Sequence, residues 1–183
     1  MGEQPVVLTD GVVRLRAWGT EDAPAVWAAF QDALIVRFLP IPQPYTEAAA
    51  RVYVATRALD WASEDERSFA ITDATTGDVL GSIVQHLQAE YRAELGYWLA
   101  PNARGRGAAT RALRLFVDWS LERPGLIRLE LCIHPENDAS ARVAERAGFT
   151  REAVRRAWDI DRDGNPEDDV FYVLLRGDPR PAI

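Results

Sequence analysis

Apolar side chains recur every third or fourth position along residues 106–123, at Ala109, Ala112, Leu113, Phe116, Val117 and Leu121, with Arg111, Arg114, Asp118 and Glu122 between them. That spacing predicts an amphipathic helix over Arg106–Arg123, closed by Pro124-Gly125. Alternation with a period of two predicts strands elsewhere. Val6–Leu8 and Val12–Ala17 flank a turn at Asp10-Gly11, Ser68–Thr72 and Val79–Leu87 meet at Thr76-Gly77, and Glu94–Leu99 stops at Pro101. Ile127–Ile133 follows the long helix, and Phe149–Ile160 and Val170–Arg176 flank the turn signal Asp163-Gly164-Asn165. Three further helices carry caps. Thr20 opens Glu21–Asp32, Thr46 opens a helix to about Ser63, and Asn137 opens Asp138–Ala147, which Gly148 closes. Pro40, Pro42 and Pro44 exclude regular structure from Phe38–Tyr45.

This order predicts an α+β, α/β/α-layered fold: a mixed, mostly antiparallel sheet of about seven strands with helices on both faces. The strand–helix–strand from Glu94 to Ile133 should be a parallel, right-handed crossover. With no repeat or low-complexity linker, the 183 residues read as a single domain, 1–183.

Composition narrows the chemistry. The net charge of −7 and the lack of a basic stripe argue against nucleic acid as a partner. All 21 basic residues are arginine, so no lysine can serve as base or Schiff-base nucleophile, and a phosphate would be gripped by arginine or backbone N–H. Cys132 is alone, and His86 and His134 have no ligand pattern around them, so neither a disulfide nor a metal site is expected. No apolar run approaches the roughly 20 residues that cross a bilayer. Met1–Thr9 lacks a basic region followed by an apolar one, which predicts no secretory signal and a reducing, cytoplasmic setting.

The stretch Gly96-Tyr97-Trp98-Leu99-Ala100-Pro101-Asn102-Ala103-Arg104-Gly105-Arg106-Gly107-Ala108-Ala109-Thr110 runs from a strand end through a glycine-bearing loop into the long helix. A helix N-terminus offers unpaired N–H groups and partial positive charge. Small residues at 105, 107, 108 and 109 let an anion come close to that backbone, and Arg104 and Arg106 add attraction, which together make a pyrophosphate cradle. Taken alone, a Gly-x-Gly pair equally well shapes a tight turn beside solvated arginines.

With its flanking elements, this segment resembles the GNAT acyltransferase family, in particular the branch that includes the ribosomal-protein N-terminal acetyltransferases. The family motif, Arg/Gln-x-x-Gly-x-Gly/Ala, is met by Arg104-Gly105-Arg106-Gly107-Ala108-Ala109. Gly-Tyr-Trp-Leu before it and Asn137-Asp138-Ala139-Ser140 before a helix ending Ala147-Gly148-Phe149 are typical of the branch. The resemblance runs from Val13 to Arg176. It implies the GNAT fold, with a sheet splayed between the strands near Trp98 and Cys132. It also implies acetyl-CoA (coenzyme A) as cofactor, held by Trp98, Leu99, Arg104, Gly105, Arg106, Gly107, Ala108, Ala109, Thr110, Asn137 and Ser140.

The implied reaction moves an acetyl group to an amine acceptor by direct attack. An α-amine, with a reference pKa of about 8 against about 10.4 for lysine, is the easier one to deprotonate. Glu94 shares a strand face with Gly96 and Trp98 and matches a frequent family acid, so it is the candidate base; the bland alternative is an ion-paired strand residue. Backbone N–H groups around Trp98–Leu99 are the implied oxyanion donors. Ser140 stands where many relatives place a tyrosine acid, which leaves it either proton donor or cap. Asn137 is likewise a cap, a pantetheine contact or both. Cys132 reads as a buried strand thiol rather than a nucleophile, and His134 as a strand-end residue.

Asp159, Asp161, Asp163, Glu167, Asp168 and Asp169 either steer a cationic amine or simply solvate a hairpin. Trp61, Trp98, Trp158, Tyr45 and Tyr53 are candidate acceptor-pocket walls, each with a core reading beside it. The acceptor is read as a protein or peptide N-terminal α-amine, with a small amine (antibiotic, polyamine, amino-acid derivative) as the rival. A non-catalytic acyl-CoA-binding module is the alternative of another class. A homodimer would suit the branch.

Overall fold

The computed structural model describes residues 6–62 and 65–181. Its strands are β1 (Leu8–Thr9), β2 (Val13–Arg16), β3 (Glu66–Asp73), β4 (Val79–Ala89), β5 (Arg92–Leu99), β6 (Arg128–Ile133), β7 (Thr150–Ile160) and β8 (Pro166–Leu175). Its helices are α1 (Ala23–Ala29), α2 (Ala33–Phe38), α3 (Glu47–Leu59), α4 (Ala108–Ser120) and α5 (Asp138–Arg146). The eight strands form one sheet in the order β1-β2-β3-β4-β5-β6-β8-β7. Every pairing is antiparallel except β5 with β6, the two strands that flank α4. The predicted parallel crossover is therefore present.

Period-two alternation divides the sheet between two cores. Val13, Leu15, Phe69, Ile71, Ile83, Ala93 and Leu95 point to one face, where Ala112, Leu113, Phe116 and Val117 of α4 cover them. Phe116 lies between Phe69 (5.5 Å) and Trp119 (5.6 Å) in an aromatic stack that also takes in Trp61. On the other face, Val26, Ala29 and Phe30 of the α1 region, Ile35 of α2 and Ala50 and Val54 of α3 pack with Trp18, Tyr45, Ala70 and Trp98. Trp98 stacks on Trp18 and meets Phe30 edge-on, and its indole N–H donates to the Tyr53 hydroxyl at 3.1 Å. Trp61, Trp98, Tyr45 and Tyr53 thus take up their core reading.

The cap predictions divide. Thr46 accepts the Ala49 N–H at 3.1 Å, and Asn137 accepts that of Ser140 at 3.1 Å, as read from sequence. Thr20 caps nothing: it lies inside a 3-10 turn over Thr20–Asp22, where the Asp22 carboxylate accepts the Gly19 N–H and pairs with both arms of Arg16. The helix expected over Glu21–Asp32 is shorter, α1 over Ala23–Ala29 after the 3-10 turn, and a second helix, α2, starts just beyond it at Ala33. Asp32, which looked like a last-turn residue, is the extended N-cap of α2 and accepts the Ile35 N–H at 3.1 Å. The helix expected from Arg106 begins at Ala108 because Gly105 and Gly107 are both left-handed, at φ 75° and 77°. The end expected at Ser63 lies outside the described residues; α3 closes at Leu59.

Candidate functional site

β5 and β6 are paired only over Arg92–Leu95 and Arg128–Leu131. Beyond that point β5 stays with β4, as far as Gly81↔Leu99, while β6 stays with β8, as far as Ile133↔Val170. The sheet therefore splits above Leu95 and Leu131, at the position anticipated between Trp98 and Cys132. The Ala100 N–H donates to the Leu80 carbonyl at 2.8 Å, which fixes the phase of the β4–β5 ladder. By alternation, the backbone groups of Trp98 face β4, and those of Tyr97 and Leu99 face the opening. Of the two residues expected to offer an amide there, Leu99 has the right orientation and Trp98 does not.

The helix mouth lies at the top of the split. The Arg104 N–H closes the turn at Pro101–Ala103 onto the Pro101 carbonyl at 3.4 Å, and α4 has its first backbone bond at Arg111 N–H, to Gly107 O at 3.1 Å. Among the described residues, no backbone hydrogen bond runs from the amides of Gly105, Gly107, Ala108, Ala109 and Thr110 to a protein acceptor. A Cβ added at Gly105 or Gly107 would meet nothing within 4 Å. The glycines serve the backbone turn, and the space beyond them is open to a ligand, which is the fit a diphosphate requires. Arg106 is exposed beside this mouth. The Arg104 head group is turned away from it: one Nη lies 2.6 Å from Asp32 Oδ1 and 3.2 Å from the Leu99 carbonyl.

On the other side of the sheet lies an open cleft of about 930 Å³. One wall is α2 and the loop after it, including Val36, Phe38 and Ile41; the facing wall is the β7–β8 hairpin from Trp158 to Asp163; the floor holds Glu94 and Cys132. β7 reaches this wall through an irregular stretch between Arg155 and Asp159, where Ala157 is left-handed at φ 50° and its N–H donates to Asp168. Trp158 packs edge-on to Phe171, with the Arg155 guanidinium over both rings. The walls are tied together at the hairpin tip. Arg162 donates to the carbonyls of Val36 (2.7 Å), Leu39 (3.0 Å) and Ile41 (2.8 Å).

Six carboxylates line the cleft: Glu94, Asp159, Asp161, Asp163, Glu167 and Asp169. Its arginines are engaged, Arg162 as described and Arg37 with Glu136, and His134 Nε2 lies 3.2 Å from Glu167. Burial is the main reason that the Glu94 carboxyl titrates above its ordinary range; Glu130 and Asp169 add to the shift and His86 opposes it. Glu94 stands in a cross-strand row, Glu66–His86–Glu94–Glu130, in which His86 Nδ1 contacts Glu66 at 2.8 Å and Arg92 and Arg128 hold Glu130. Cys132 donates its S–H to Asp169 at 3.2 Å, and burial together with that carboxylate pushes the thiol pKa up, which disfavours a thiolate nucleophile.

On the α4 side of the split, Ser140 Oγ lies 2.7 Å from the Tyr97 hydroxyl, which also donates to the Ser140 carbonyl at 3.1 Å. Burial pushes the Tyr97 pKa up to about 12, so it keeps its proton. The pairing spans the two arms of the split, and it escaped sequence reasoning because Tyr97 and Ser140 are 43 residues apart. Asp32 and Arg162 were missed for the same reason. Trp158 is the one aromatic among those singled out that lines the cleft, and Asp169 lies on it as expected.

An open helix mouth suits a phosphorylated carrier, and a parted strand pair lets the carrier's far end cross the sheet to a carboxylate, the layout of an acyl-group transferase. A family model described as an acetyltransferase (GNAT) domain matches residues 13–150, and the chain belongs to the GNAT acetyltransferase family. It is similar to the uncharacterized N-acetyltransferase YoaA of Bacillus subtilis, 26% identical over 174 residues that cover 94% of this chain and 97% of that protein. The putative ribosomal N-acetyltransferase YdaF of the same species is 34% identical over 102 residues, 55% of each chain. Among solved structures, RimL, a ribosomal L7/L12 α-N-protein acetyltransferase in complex with coenzyme A, shares the fold at a TM-score of 0.81 and 20% identity, over 94% of this chain and 98% of that one. No helix among the described residues is long and apolar enough to cross a membrane, and none of their His, Cys, Asp and Glu side chains group as metal ligands.

Proposed function

We propose that this acetyltransferase takes the N-terminal α-amine of a protein or peptide as acceptor, with Glu94 as base. The observation that carries the reading is the position of Glu94: half-buried on the floor of an acid-lined cleft, on the strand whose upper half forms one lip of the split. Acetyl-CoA supplies the acetyl thioester. The Gly105–Thr110 amides and Arg106 hold its diphosphate, and Asn137 and Ser140 lie along the route through the split.

The cleft carboxylates draw in a cationic amine. Glu94, whose raised pKa makes it a stronger base, accepts the amine proton. The nitrogen then forms the C–N bond as the C–S bond breaks. The Leu99 N–H, which faces the split, stabilises the negative charge on the acyl oxygen. Ser140 gives its proton to the departing sulfur, and the second proton that the nitrogen sheds on becoming an amide returns through solvent to Ser140; Tyr97, which stays protonated at neutral pH, orients the Ser140 hydroxyl by their hydrogen bond. The cleft is partly open to solvent, with Arg162 bridging its walls at the hairpin tip, and YdaF and RimL carry names that specify ribosomal acceptors.

The test is a panel of short peptides with free N-terminal alanine, serine or methionine, assayed against spermidine and other small amines. Transfer to peptides is expected; turnover of free small amines alone would sink the assignment. Coenzyme A binding without turnover of any amine would favour a binding module.

A further inference from the structure

We infer that Arg104, although it stands first in the phosphate-loop motif, is a strut that sets the acceptor wall, and that Asp32 is its positioning partner. The inference rests on the acceptor-cleft reading above. The Arg104 guanidinium lies 2.6 Å from Asp32 Oδ1 and donates to the Leu99 carbonyl at 3.2 Å. Asp32 is the N-cap of α2, bonded to Ile35 N–H by the same oxygen, and Ala33, Val36, Arg37 and Phe38 of α2 line the cleft. One guanidinium therefore joins three parts: the loop before α4, the end of β5 at the split, and the first residue of the wall over the acceptor. The pair is partly shielded, with side-chain exposures of 33% and 20%. The Arg104 contact also holds the Asp32 carboxyl below its ordinary range, so the pair is ionised throughout neutral pH. A guanidinium so engaged is not available to the diphosphate, which leaves that work to the amides and Arg106.

Asp32→Asn separates the strut from the cap, because asparagine caps a helix as well as aspartate does. Three measurements read the result: coenzyme A affinity by calorimetry, hydrogen exchange of the Val36–Leu39 amides, and kinetics with the best peptide of the panel. In Asp32→Asn, coenzyme A affinity and kcat should stay within about twofold, while Val36–Leu39 exchange and the acceptor KM rise about fivefold, the scale of a partly exposed ion pair. Arg104→Gln should loosen the same amides by a similar factor. Arg104→Lys, which keeps the charge, should recover most of the protection.

A loss of more than tenfold in coenzyme A affinity in Arg104→Gln would overturn the inference, as would a gain in Asp32→Asn from an arginine set free. So would unchanged exchange over Val36–Leu39. If the parent protein fails to bind coenzyme A, the functional reading fails first, and the exchange data still decide whether Asp32 and Arg104 brace α2.

Discussion

Gly107→Ala separates what the phosphate loop does for the fold from what it does for a ligand. Gly107 caps α4 at φ 77°, and a Cβ there would touch no protein atom within 4 Å. The cost to folding is therefore backbone strain alone, about 1–2 kcal/mol for an L-residue in the left-handed region. Restricting the unfolded chain returns about 0.4–1 kcal/mol. The balance, roughly 1 kcal/mol, should lower Tm by about 2–4 °C in a chain of this size. Binding should suffer more. The methyl group would stand on the surface where the amides of Gly105–Thr110 open, and coenzyme A affinity should fall at least about tenfold, or about 1.4 kcal/mol. Gly81→Ala is the contrast, since its Cβ would lie 2.1 Å from the Trp98 carbonyl oxygen and the β4–β5 pairing would have to shift. It should cost about 3 kcal/mol of stability. Calorimetric titration and thermal melts of both variants decide the matter. If Gly107→Ala melts a few degrees lower but binds coenzyme A as tightly as the parent, the glycine only shapes a turn, and the cradle is misassigned.

Glu94→Gln should lower kcat about 10²–10⁴-fold while coenzyme A still binds, and undiminished turnover would remove Glu94 as base. Because His86 holds the Glu94 pKa down against burial, His86→Gln should move the acidic limb of the rate profile to higher pH; a stationary limb would show that the row does not tune the base. Phe116→Ala, at the centre of the stack with Phe69 and Trp119, should cost about 3–5 kcal/mol in chemical denaturation, and a loss under 1 kcal/mol would contradict the packing. Asp60 has its pKa raised to about 7, chiefly by burial, so the folded state holds a proton that the unfolded state releases near pH 4. Stability should therefore fall as pH rises from 4 to 7. Asp60→Asn should abolish that decline, worth of order 1 kcal/mol after solvent screening and read as Tm against pH.

The helices and strands that pack by period were legible because burial imposes the period. α4 shows its apolar stripe in sequence, and β3, β4 and β6 were placed to within two residues. The donor loop was legible for a different reason: consecutive residues make it, and their smallness is the signal. What sequence could not show are the contacts between segments far apart in the chain. Asp32 carries no sign of whether it ends one helix or begins another, since the bond that decides it goes to Ile35 and the partner that uses it is Arg104. The bland and sharp readings of Trp158 and Trp98 look alike in one dimension. They separate only when an irregular turn at Ala157 carries one towards the cleft and strand alternation turns the other into the aromatic cluster.

That alternation accounts for the division of labour at the split. Along β5, Glu94, Gly96 and Trp98 face the acceptor side, and Leu95, Tyr97 and Leu99 face α4 and α5. Gly96 sits between the candidate base and the buried Trp98, where a Cβ would come within 3.4 Å of Val84. Tyr97, one residue on, points the opposite way to Ser140, and the backbone between the two faces supplies the Leu99 amide at the opening. The candidate base and the Leu99 amide thus come from one strand, and Tyr97 between them reaches the Ser140 hydroxyl on the opposite face. A slip of one residue would turn Glu94 into the aliphatic core and Tyr97 into the cleft. The register is held against it by Ala93 and Leu95 on one face and by Trp98 in its cluster on the other. Burial that stabilises the sheet is therefore also what orients the chemistry.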